Sequence, residues 1–583
     1  MARWVGVIVA MGALGMGWGA GRGFDSVAQM CAATGLKAGE TVEVKGYREA
    51  QDGGGGTFRY EPESKAEVDG GAVLEAKAGG RFVRVVGFEE DAYAEWFGAY
   101  GDASAAQPHD DHEAINKCLA AYGRVKLRAK VYGVRGVPEK WNPKASFRAI
   151  DLGPHYRIEG SGRDKTTVKL LDGTDPPGGG PGDNYFVMLA NRDFYESAEY
   201  LVIRDLTIDC NFDKQDGHTT IHAIGIRGGG ALVERVNFRG YGTGRSPETG
   251  SSRECFVVHQ TLVYKDATSC RQAAVYRDLD MTGCGHNGKA GGGVGEITHI
   301  CLGGADNFED KTWIMPKGKD PDFDPANGGE NEKNWWPSWG GLVEGCVIHD
   351  EVYDPATQKS PLNGITYGDC IGLTVKDNVV RNWEGAGVFT MSWWNRDTVI
   401  VDNKFLGVTI GVALNMASEG TKPIQCPLHD GVLIAHNEIE LGAHTHAPWG
   451  TCGVSLFGGD VPATVRMRSV HVRENVIRGR AFVNAAGARS CPMGIKIQIL
   501  RACYHDIRIE DNVIDLPDYD QTVWVPQEPG GMALFFYPQA LWEGGVKAGD
   551  VVYRGNRDGK GKVLYPALAD WYMTNKPVLG KME

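Results

Sequence analysis

One short pattern recurs through the second half of the chain and limits the possible folds more than any other feature. It reads apolar, any, polar, Asn, any, apolar, in "VKDNVV" (375–380), "IVDNKF" (400–405), "IAHNEI" (434–439), "VRENVI" (472–477) and "IEDNVI" (509–514). Four weaker copies lack Asn at the fourth position: "IRDLTI" (203–208), "VERVNF" (233–238), "YRDLDM" (276–281) and "VEGCVI" (343–348). The alternation of apolar residues predicts that each copy is two short strands meeting at a tight corner.

The recurring Asn has a structural interpretation. Asn tolerates left-handed backbone conformations and hydrogen-bonds locally, which suits a corner. Stacked copies would place these side chains in a ladder formed by Asn378, Asn403, Asn437, Asn475 and Asn512.

A third strand precedes most copies of the pattern. The ten segments are 185–191, 222–228, 255–261, 296–302, 364–370, 387–393, 411–417, 453–459, 494–500 and 531–537. Three strands per repeat predict an all-β fold, a parallel β-helix of about ten rungs, because each rung needs a neighbour above and below to bury its apolar face.

The segment 94–136 carries a second set of motifs, with a short amphipathic helix between turns and strands. The motifs are Trp-Phe-Gly at Trp96, Phe97 and Gly98, Gly-Asp at Gly101 and Asp102, the pair Asp110 and Asp111, and a basic strand that ends at Tyr132. This segment resembles the opening of the pectate-lyase-like superfamily, including its rhamnogalacturonase and epimerase-like members. The resemblance spans roughly 40–570 and implies a right-handed, single-stranded β-helix with a capping helix and a small N-terminal β cap.

The resemblance also implies a polysaccharide or oligosaccharide partner. The superfamily includes polysaccharide lyases, glycoside hydrolases, uronate epimerases and viral tailspikes, so it does not fix the reaction. This sequence has only "GIKI" around Lys496 from the pectin-hydrolase motifs. It also lacks their Asp-Asp pair in the strand series and the Asp-Pro-His stretch of uronate epimerases, which argues against both activities.

Glycosidic bond cleavage needs either paired carboxylates or a base with a cation that stabilises an enolate. Alternation along the third strands predicts outward polar side chains on neighbouring rungs ~4.8 Å apart. The candidate catalytic residues are His259, Glu296, His299, whose orientation the alternation leaves open, and Asp369. The candidate substrate-binding residues are Arg227, Trp393, Trp394, Asn415 and Lys496.

The longest insert between strands, 306–341, contributes two more candidates. Its Trp335 and Trp336 are predicted to form a wall of the substrate cleft, because long loops in compact folds are usually functional. The run "DPDFDPANGGE" has acidic spacing similar to a calcium loop but lacks the full pattern. Calcium therefore stays an alternative, and no other metal site is predicted.

The N-terminus, "MARWVGVIVAMGALGMGWGAGRG", predicts a signal peptide over 1–22, with a membrane anchor as the alternative. The predicted organisation continues with the β cap over 23–92, the β-helix over 93–570 and a tail over 571–583. A secreted or periplasmic location follows, with no membrane partner after cleavage. The formal net charge of −13 disfavours a nucleic-acid partner but allows a local basic groove for an acidic polymer.

The run "QDGGGGTFRY" at 51–60 raises a choice between a phosphate loop and a turn. A phosphate loop needs a helix directly after its glycines, whereas a strand pattern follows here. The sequence therefore predicts a tight connection inside the β cap.

Three functional hypotheses remain open. The first is an exported carbohydrate-active enzyme that cleaves glycosidic bonds by β-elimination or hydrolysis. The second is a non-catalytic glycan-binding or surface structural β-helix. The third is a tailspike-type depolymerase, which the signal-like N-terminus disfavours. The sequence leaves the oligomeric state open.

Overall fold

A computed structural model describes most of the chain. The described residues are 22–87, 90–138, 146–174, 185–191, 199–215, 217–244, 255–261, 273–284, 297–303, 338–349, 362–368, 370–390, 395–415, 428–442, 451–458, 466–480, 482–483, 489–490, 492–499, 503–516, 534–536 and 551–564. Residues 1–21 lie outside these ranges, so the signal peptide and the predicted domain boundaries stay predictions.

The N-terminal part is a small β domain with its own core, as predicted. Its sheet has the order β1 (Arg22–Phe24), β2 (Thr41–Val44), β3 (Gly56–Glu61), β5 (Arg81–Arg84) and β4 (Val73–Glu75), with helix α1 at Val27–Cys31. The core includes Met30, Phe58 and Phe82. Its cross-strand pairs are antiparallel except for β1 with β2.

The glycine run serves this domain's architecture. The buried Arg84 guanidinium donates to the carbonyl oxygens of Gly54 (3.1 Å) and Gly55 (2.7 Å). A Cβ on Gly54 would lie 2.4 Å from the Glu95 carbonyl oxygen. Only glycine therefore permits this close approach, at the junction with the following segment.

The capping helix α2, His112–Tyr122, follows a 3₁₀ turn at Ala94–Phe97. Asp111 occupies its N-cap position, but its carboxylate instead accepts hydrogen bonds from the amides of Tyr100 (2.6 Å) and Gly101 (3.0 Å). Burial raises the pKa of Asp111 to about 6. This carboxylate fixes the loop at the open end of the solenoid, which is a structural role.

The rest of the chain forms three parallel sheets that wind as a right-handed β-helix, which confirms the predicted fold class. The first sheet holds β6 (Arg124–Lys126), β10 (Arg157–Glu159), β17 (Val275–Arg277), β21 (Leu342–Glu344), β25 (Thr374–Lys376), β28 (Val399–Val401), β41 (Val551–Arg554), the first halves of β13 (Leu201–Asp209) and β15 (Ala231–Tyr241), and the last halves of β30 (Leu428–Ala435), β33 (Arg466–Arg473) and β38 (Cys503–Glu510).

The second sheet continues from the corners. It holds β7 (Val131–Val134), β11 (Thr167–Leu170), β18 (Asp280–Cys284), β22 (Val347–His349), β31 (Glu438–Leu441), β34 (Val476–Arg478), β39 (Val513–Asp515), the last halves of β13 and β15, and the first halves of β26 (Val379–Thr390) and β29 (Lys404–Asn415).

The third sheet contains the predicted third strands in the predicted order. It holds β9 (Ser146–Leu152), β12 (Tyr185–Asn191), β14 (Thr220–Arg227), β16 (Cys255–Thr261), β19 (Ile297–Gly303), β23 (Leu362–Gly368), the last parts of β26 and β29, β32 (Cys452–Gly458), β37 (Met493–Ile499) and β40 (Leu534–Phe536). The rung count of about ten stays an estimate from the sequence.

Several short elements complete the described chain. They are β8 (Val137–Pro138), antiparallel to β9, the stacked pairs β20 (Ser338–Trp339), β24 (Cys370–Ile371) and β27 (Asn395–Arg396), the hairpin β35 (Phe482–Val483) with β36 (Arg489–Ser490), and a 3₁₀ turn at Phe212–Lys214.

The corners between the first and second sheets differ from the expectation in one detail. In every copy of the pattern the left-handed residue precedes the fourth position, as at Asp377 (φ 57°) and His436 (φ 56°). The Asn residues themselves form the predicted buried ladder. Asn437 Nδ2 donates to Asn475 Oδ1 (2.9 Å) and to the Ile400 carbonyl oxygen (2.9 Å). Asn is therefore selected by its side-chain hydrogen bonds rather than by its own backbone conformation.

Candidate functional site

The outward face of the third sheet carries two rows of side chains, which we call the outer rows. On each strand, the residue of the first outer row comes directly after a residue that faces the core, such as Ile224, Val258 or Ile300. The described members of this row are Ala190, Gly225, His259, Cys301, Thr366, Phe389, Ala413, Ser455 and Lys496. The second outer row precedes the inward residues by two positions and includes His222, Phe256, Thr298, Asn363, Ala386 and Ile410.

Three rings meet where these rows cross β14 and β16. The imidazole of His259 stacks on the ring of Phe256, with centroids 4.5 Å apart and planes at 24°. The rings of His222 and Phe256 are also nearly parallel, with centroids 6.2 Å apart and planes at 17°. The Nδ1 atom of His222 is 3.0 Å from both the amide nitrogen and the carbonyl oxygen of Phe256. The strand backbone and the aromatic ring therefore hold both imidazoles in place.

Arg227 lies on the neighbouring strand, two positions beyond Gly225, the register partner of His259. Asn191 fixes its backbone by donating to the Arg227 carbonyl (2.8 Å) and accepting from the Arg227 amide (2.9 Å). Gln260 donates to the next carbonyl, that of Gly228, at 2.9 Å. The end of β14 is thus anchored from within the solenoid, which positions the arginine beside the imidazoles. We call His222, Phe256, His259 and Arg227 the histidine–arginine cluster.

The cluster keeps its imidazoles neutral. Burial, and then the neighbouring His222 and Arg227, lower the pKa of His259 to about 3. Burial also lowers the pKa of His222 to about 4. Both rings are therefore unprotonated but only weakly basic at neutral pH, whereas Arg227 keeps its positive charge.

His299 does not lie on this face. Its side chain is 0 % exposed and packs edge-on against Tyr241 inside the solenoid. Its Nδ1 donates to the Asn363 carbonyl (3.3 Å), so its Nε2 accepts from the Tyr241 hydroxyl (2.9 Å). Both nitrogens are used by the core, and this placement favours a structural role over the expected catalytic one.

The inward position of His299 is explained by a break in the alternation of side chains along these strands. On β16 the successive residues Val257 and Val258 are both fully buried in the core, as are His299 and Ile300 on β19. Strict alternation therefore fails one position before each inward residue. On five later strands the corresponding residue is a glycine: Gly364, Gly387, Gly411, Gly453 and Gly494.

Several predicted residues lie outside the described residues, so their roles stay predictions. They are Glu296, Asp369, Trp335, Trp336, Trp393, Trp394 and the acidic run considered for calcium. Asn415 ends β29 and pairs with Phe457, but its side chain is not described. The strands β16, β19, β23 and β26 are successive neighbours in the third sheet, as their candidate residues required.

Lys496 lies on the first outer row of β37, between Ser455 and Phe535 in the register. Only 9 % of the residue is exposed, and burial lowers the pKa of its amine. Its place in the register agrees with the expected outward position, and its role in substrate binding stays a prediction.

The charge of this face differs from that of the whole chain. From β12 onward, the described members of the two outer rows include histidine and lysine but no Asp or Glu, in a protein of net charge −13.

Sequence reasoning missed His222 and Phe256, because it applied one alternation to the whole strand. The sequence did contain a signal for them. His222 precedes Gly225 by three positions, and Phe256 precedes His259, the register partner of Gly225, by the same three positions.

Within the described ranges, no three His, Cys, Asp or Glu side chains are grouped so as to hold a metal ion. The described helices include none that is long and apolar enough to cross a membrane. The eight cysteines whose side chains are described form no disulfide, and all but Cys31 are buried.

Comparison with known proteins matches residues 23–87 to a family described as the phage tail protein small four-stranded β-sheet domain. No curated protein matches the chain. Among solved structures, the adhesin PfbA of Streptococcus pneumoniae is 14 % identical, with 80 % of this chain and 90 % of that chain covered and a TM-score of 0.47. The AlgE6 A-module of the Azotobacter vinelandii mannuronan C-5 epimerase is 14 % identical (80 % and 99 % covered, TM-score 0.34).

The enzymatically active domain of tailspike protein 2 from bacteriophage CBA120 is 12 % identical, with a TM-score of 0.38. The match covers 91 % of this chain but only 56 % of the tailspike chain. Likeness at this level concerns the fold alone. Three parallel sheets and a capping helix, preceded by a separate N-terminal β domain, give the chain the fold of a right-handed parallel β-helix.

Proposed function

We propose that the outward face of the third sheet binds an acidic polysaccharide and that the histidine–arginine cluster cleaves it by β-elimination. The observation that carries the proposal is the placement of a neutral imidazole, His259, beside the permanent cation of Arg227. Elimination from a uronic acid needs this combination, a base for the C5 proton and a positive charge for the carboxylate.

The step can be written from these two side chains. Arg227 pairs with the uronate carboxylate, which stabilises the charge that develops when the C5 proton leaves. His259 accepts that proton, the electron pair forms the C4–C5 double bond, and the C4–O glycosidic bond breaks. The departing oxygen takes a proton from the imidazolium or from water. A bound carboxylate also raises the pKa of the nearby imidazole, which makes His259 a stronger base when substrate is present.

Hydrolysis remains the competing reaction. It needs a carboxylic acid and a second carboxylate at set spacing, and the described outer rows from β12 onward contribute neither. Glu296 and Asp369 are the candidates for such a pair, and both lie outside the described residues. The product separates the two reactions, because only elimination creates a conjugated double bond.

The test is a screen of the purified protein against acidic and neutral polysaccharides. Ultraviolet absorbance of the unsaturated product is followed in parallel with the release of reducing ends. Reducing ends with matching absorbance on uronate polymers support elimination, whereas reducing ends alone support hydrolysis. His259→Gln should abolish the absorbance signal. His436→Gln, at an exposed corner histidine paired with Glu474, is the matched control and should keep it.

The second hypothesis, a non-catalytic glycan-binding or surface structural protein, makes a different prediction. Binding of a uronate polymer without either product would support it. Both proposals place the protein outside the cytoplasm. Detection of the mature protein in a periplasmic or culture fraction tests that location.

A further inference from the structure

The corner between the third and first sheets repeats one left-handed backbone position along the solenoid. We call this position, just before the strands of the first sheet, the corner row. Its members with positive φ are His155, Tyr200, Gly230, Gly340, Gly372, Asp397, Gly431, Ser469 and Asp506. Glycine adopts this conformation without steric cost, and Asp tolerates it, so most members are the residues that such a corner favours.

Tyr200 is the unusual member of the corner row. A left-handed backbone, here with φ of 53°, costs free energy for a bulky side chain. On the opposite corner Arg235 has the same φ, but ion pairs with Asp205 (2.7 Å) and Glu234 (3.0 Å) hold it there. A tyrosine cannot form such pairs. Its retention at a position where glycine fits better indicates a use for the ring.

The ring of Tyr200 belongs to an exposed aromatic pair. It stacks on the ring of His155 from the preceding rung, with centroids 5.3 Å apart and planes at 10°. The His155 amide donates to the Glu199 carbonyl (2.6 Å), which fixes the backbone between the two rings. Tyr200 is nevertheless 54 % exposed, more than any other large apolar residue of the described ranges, and the next five are all valines.

A second tyrosine–histidine stack in the molecule is closed by its neighbours. The rings of Tyr100 and His109 lie 3.6 Å apart at 4°, and the guanidinium of Arg48 covers Tyr100 at 3.3 Å. Among the described residues, no arginine or lysine lies over the ring of Tyr200 in this way. The His155–Tyr200 pair therefore keeps aromatic surface open to solvent.

We propose that His155 and Tyr200 form a stacking platform for one pyranose ring of a glycan. The negative π face of an aromatic ring attracts the weakly positive C–H groups on the face of a sugar. A protein partner fits poorly, because a stable interface buries about 800 Å² on each side, whereas an aromatic side chain contributes about 150–250 Å². The inference rests on the glycan partner of the proposed function, but neither on the histidine–arginine cluster nor on elimination.

Calorimetric titration of the full chain with neutral gluco- and galacto-oligosaccharides and with uronic-acid oligomers tests this inference. The wild-type protein should bind at least one of them. Tyr200→Gly should weaken that binding about tenfold or more, whereas Tyr200→Phe keeps the ring and should retain most of the affinity. Because glycine suits the left-handed corner, the urea midpoint of Tyr200→Gly should not fall below that of the wild type.

Val85→Ala is the matched control, because Val85 is the next most exposed large apolar residue (47 %) and lies in the β cap. It should leave the affinity unchanged. The platform would be overturned by unchanged binding or a lower urea midpoint in Tyr200→Gly, by an equal loss in Val85→Ala, or by a wild-type protein that binds none of these oligosaccharides. Binding lost in Tyr200→Gly but kept in His259→Gln would support it. Absence of unsaturated product would contradict only the elimination.

Discussion

The outward faces of the first and third sheets use charge in opposite ways. On the first sheet one register row alternates in sign over successive strands, and we call it the charge ladder: Lys126, Glu159, Arg204, Glu234, Arg277, Glu344 and Lys376. Arg204 lies 2.9 Å from Glu159, and Lys376 lies 2.6 Å from Glu344. These charges neutralise one another across the rungs and leave little field for a charged ligand.

On the third sheet the described outer rows hold one such pair, Arg148 with Asp151 (2.6 Å) on β9, and no Asp or Glu from β12 onward. Its cations, Arg227 at one end and Lys496 at the other, share the face with neutral histidines. The same rung spacing therefore builds two different surfaces from one solenoid. The first face stabilises the stacking of the rungs through ion pairs, whereas the third carries no such ladder.

The largest effect is expected at His259. Replacing it with Gln removes the proposed base, and kcat should fall by about 10²- to 10⁴-fold, the usual contribution of general base catalysis. Stopped assays of the unsaturated product on the best uronate polymer measure this effect. Circular dichroism should show unchanged strand content. Full activity in His259→Gln would mean that the base lies elsewhere, with Glu296 and Asp369 as the next residues to replace.

The second largest effect is expected at Arg227. Arg227→Gln removes the proposed carboxylate contact and should lower kcat/KM roughly 10- to 100-fold, because a charge-assisted hydrogen bond contributes about 1.5–3 kcal/mol. Arg508→Gln is the control, since Arg508 pairs with Asp506 on the first sheet. Equal losses in both variants would show that the two faces do not differ in the way proposed.

The path of the chain was largely predictable, but the details of the site were not. The recurrence of Asn403 and its counterparts, with apolar residues on alternate positions, predicts corners and sheet order because each rung repeats the same packing. Alternation left the orientation of His299 open, and it points inward because two consecutive residues face the core there. The aligned glycines mark that position: a Cβ on Gly387 would lie 2.3 Å from the Phe405 ring. Packing between sheets, rather than strand periodicity, decides which residues turn inward there.

The histidines of the third sheet should make the protein sensitive to acid. Burial lowers the pKa of His222 to about 4 and that of His299 to about 3, whereas both rings titrate near 6.5 when unfolded. The unfolded state thus binds more protons below about pH 6.5. Stability should be full above that pH and fall by about 1.4 kcal/mol per pH unit for each such histidine as the pH drops.

Urea unfolding midpoints between about pH 7 and pH 5, above the range where most carboxylates titrate, measure this dependence. His299→Gln should reduce the slope by the contribution of one histidine. A slope unaffected by His299→Gln would contradict the assignment of a neutral buried imidazole.

The smallest effect is expected in the charge ladder. Its contribution to the free energy of unfolding should depend on salt concentration rather than on acid. Glu344 contacts Lys376 (2.6 Å) and Arg277 (2.9 Å). These contacts hold the pKa of Glu344 below its usual range, and the hydrogen bond from Lys376 has the larger effect. Because exposed ion pairs contribute about 0.2–1 kcal/mol, Glu344→Gln should lower the free energy of unfolding by about 1 kcal/mol at most. The difference should shrink as salt screens the pairs, and turnover of uronate polymers should be unchanged. A loss of turnover comparable to that of Arg227→Gln would place the substrate on the first face and refute the division of roles between the two sheets.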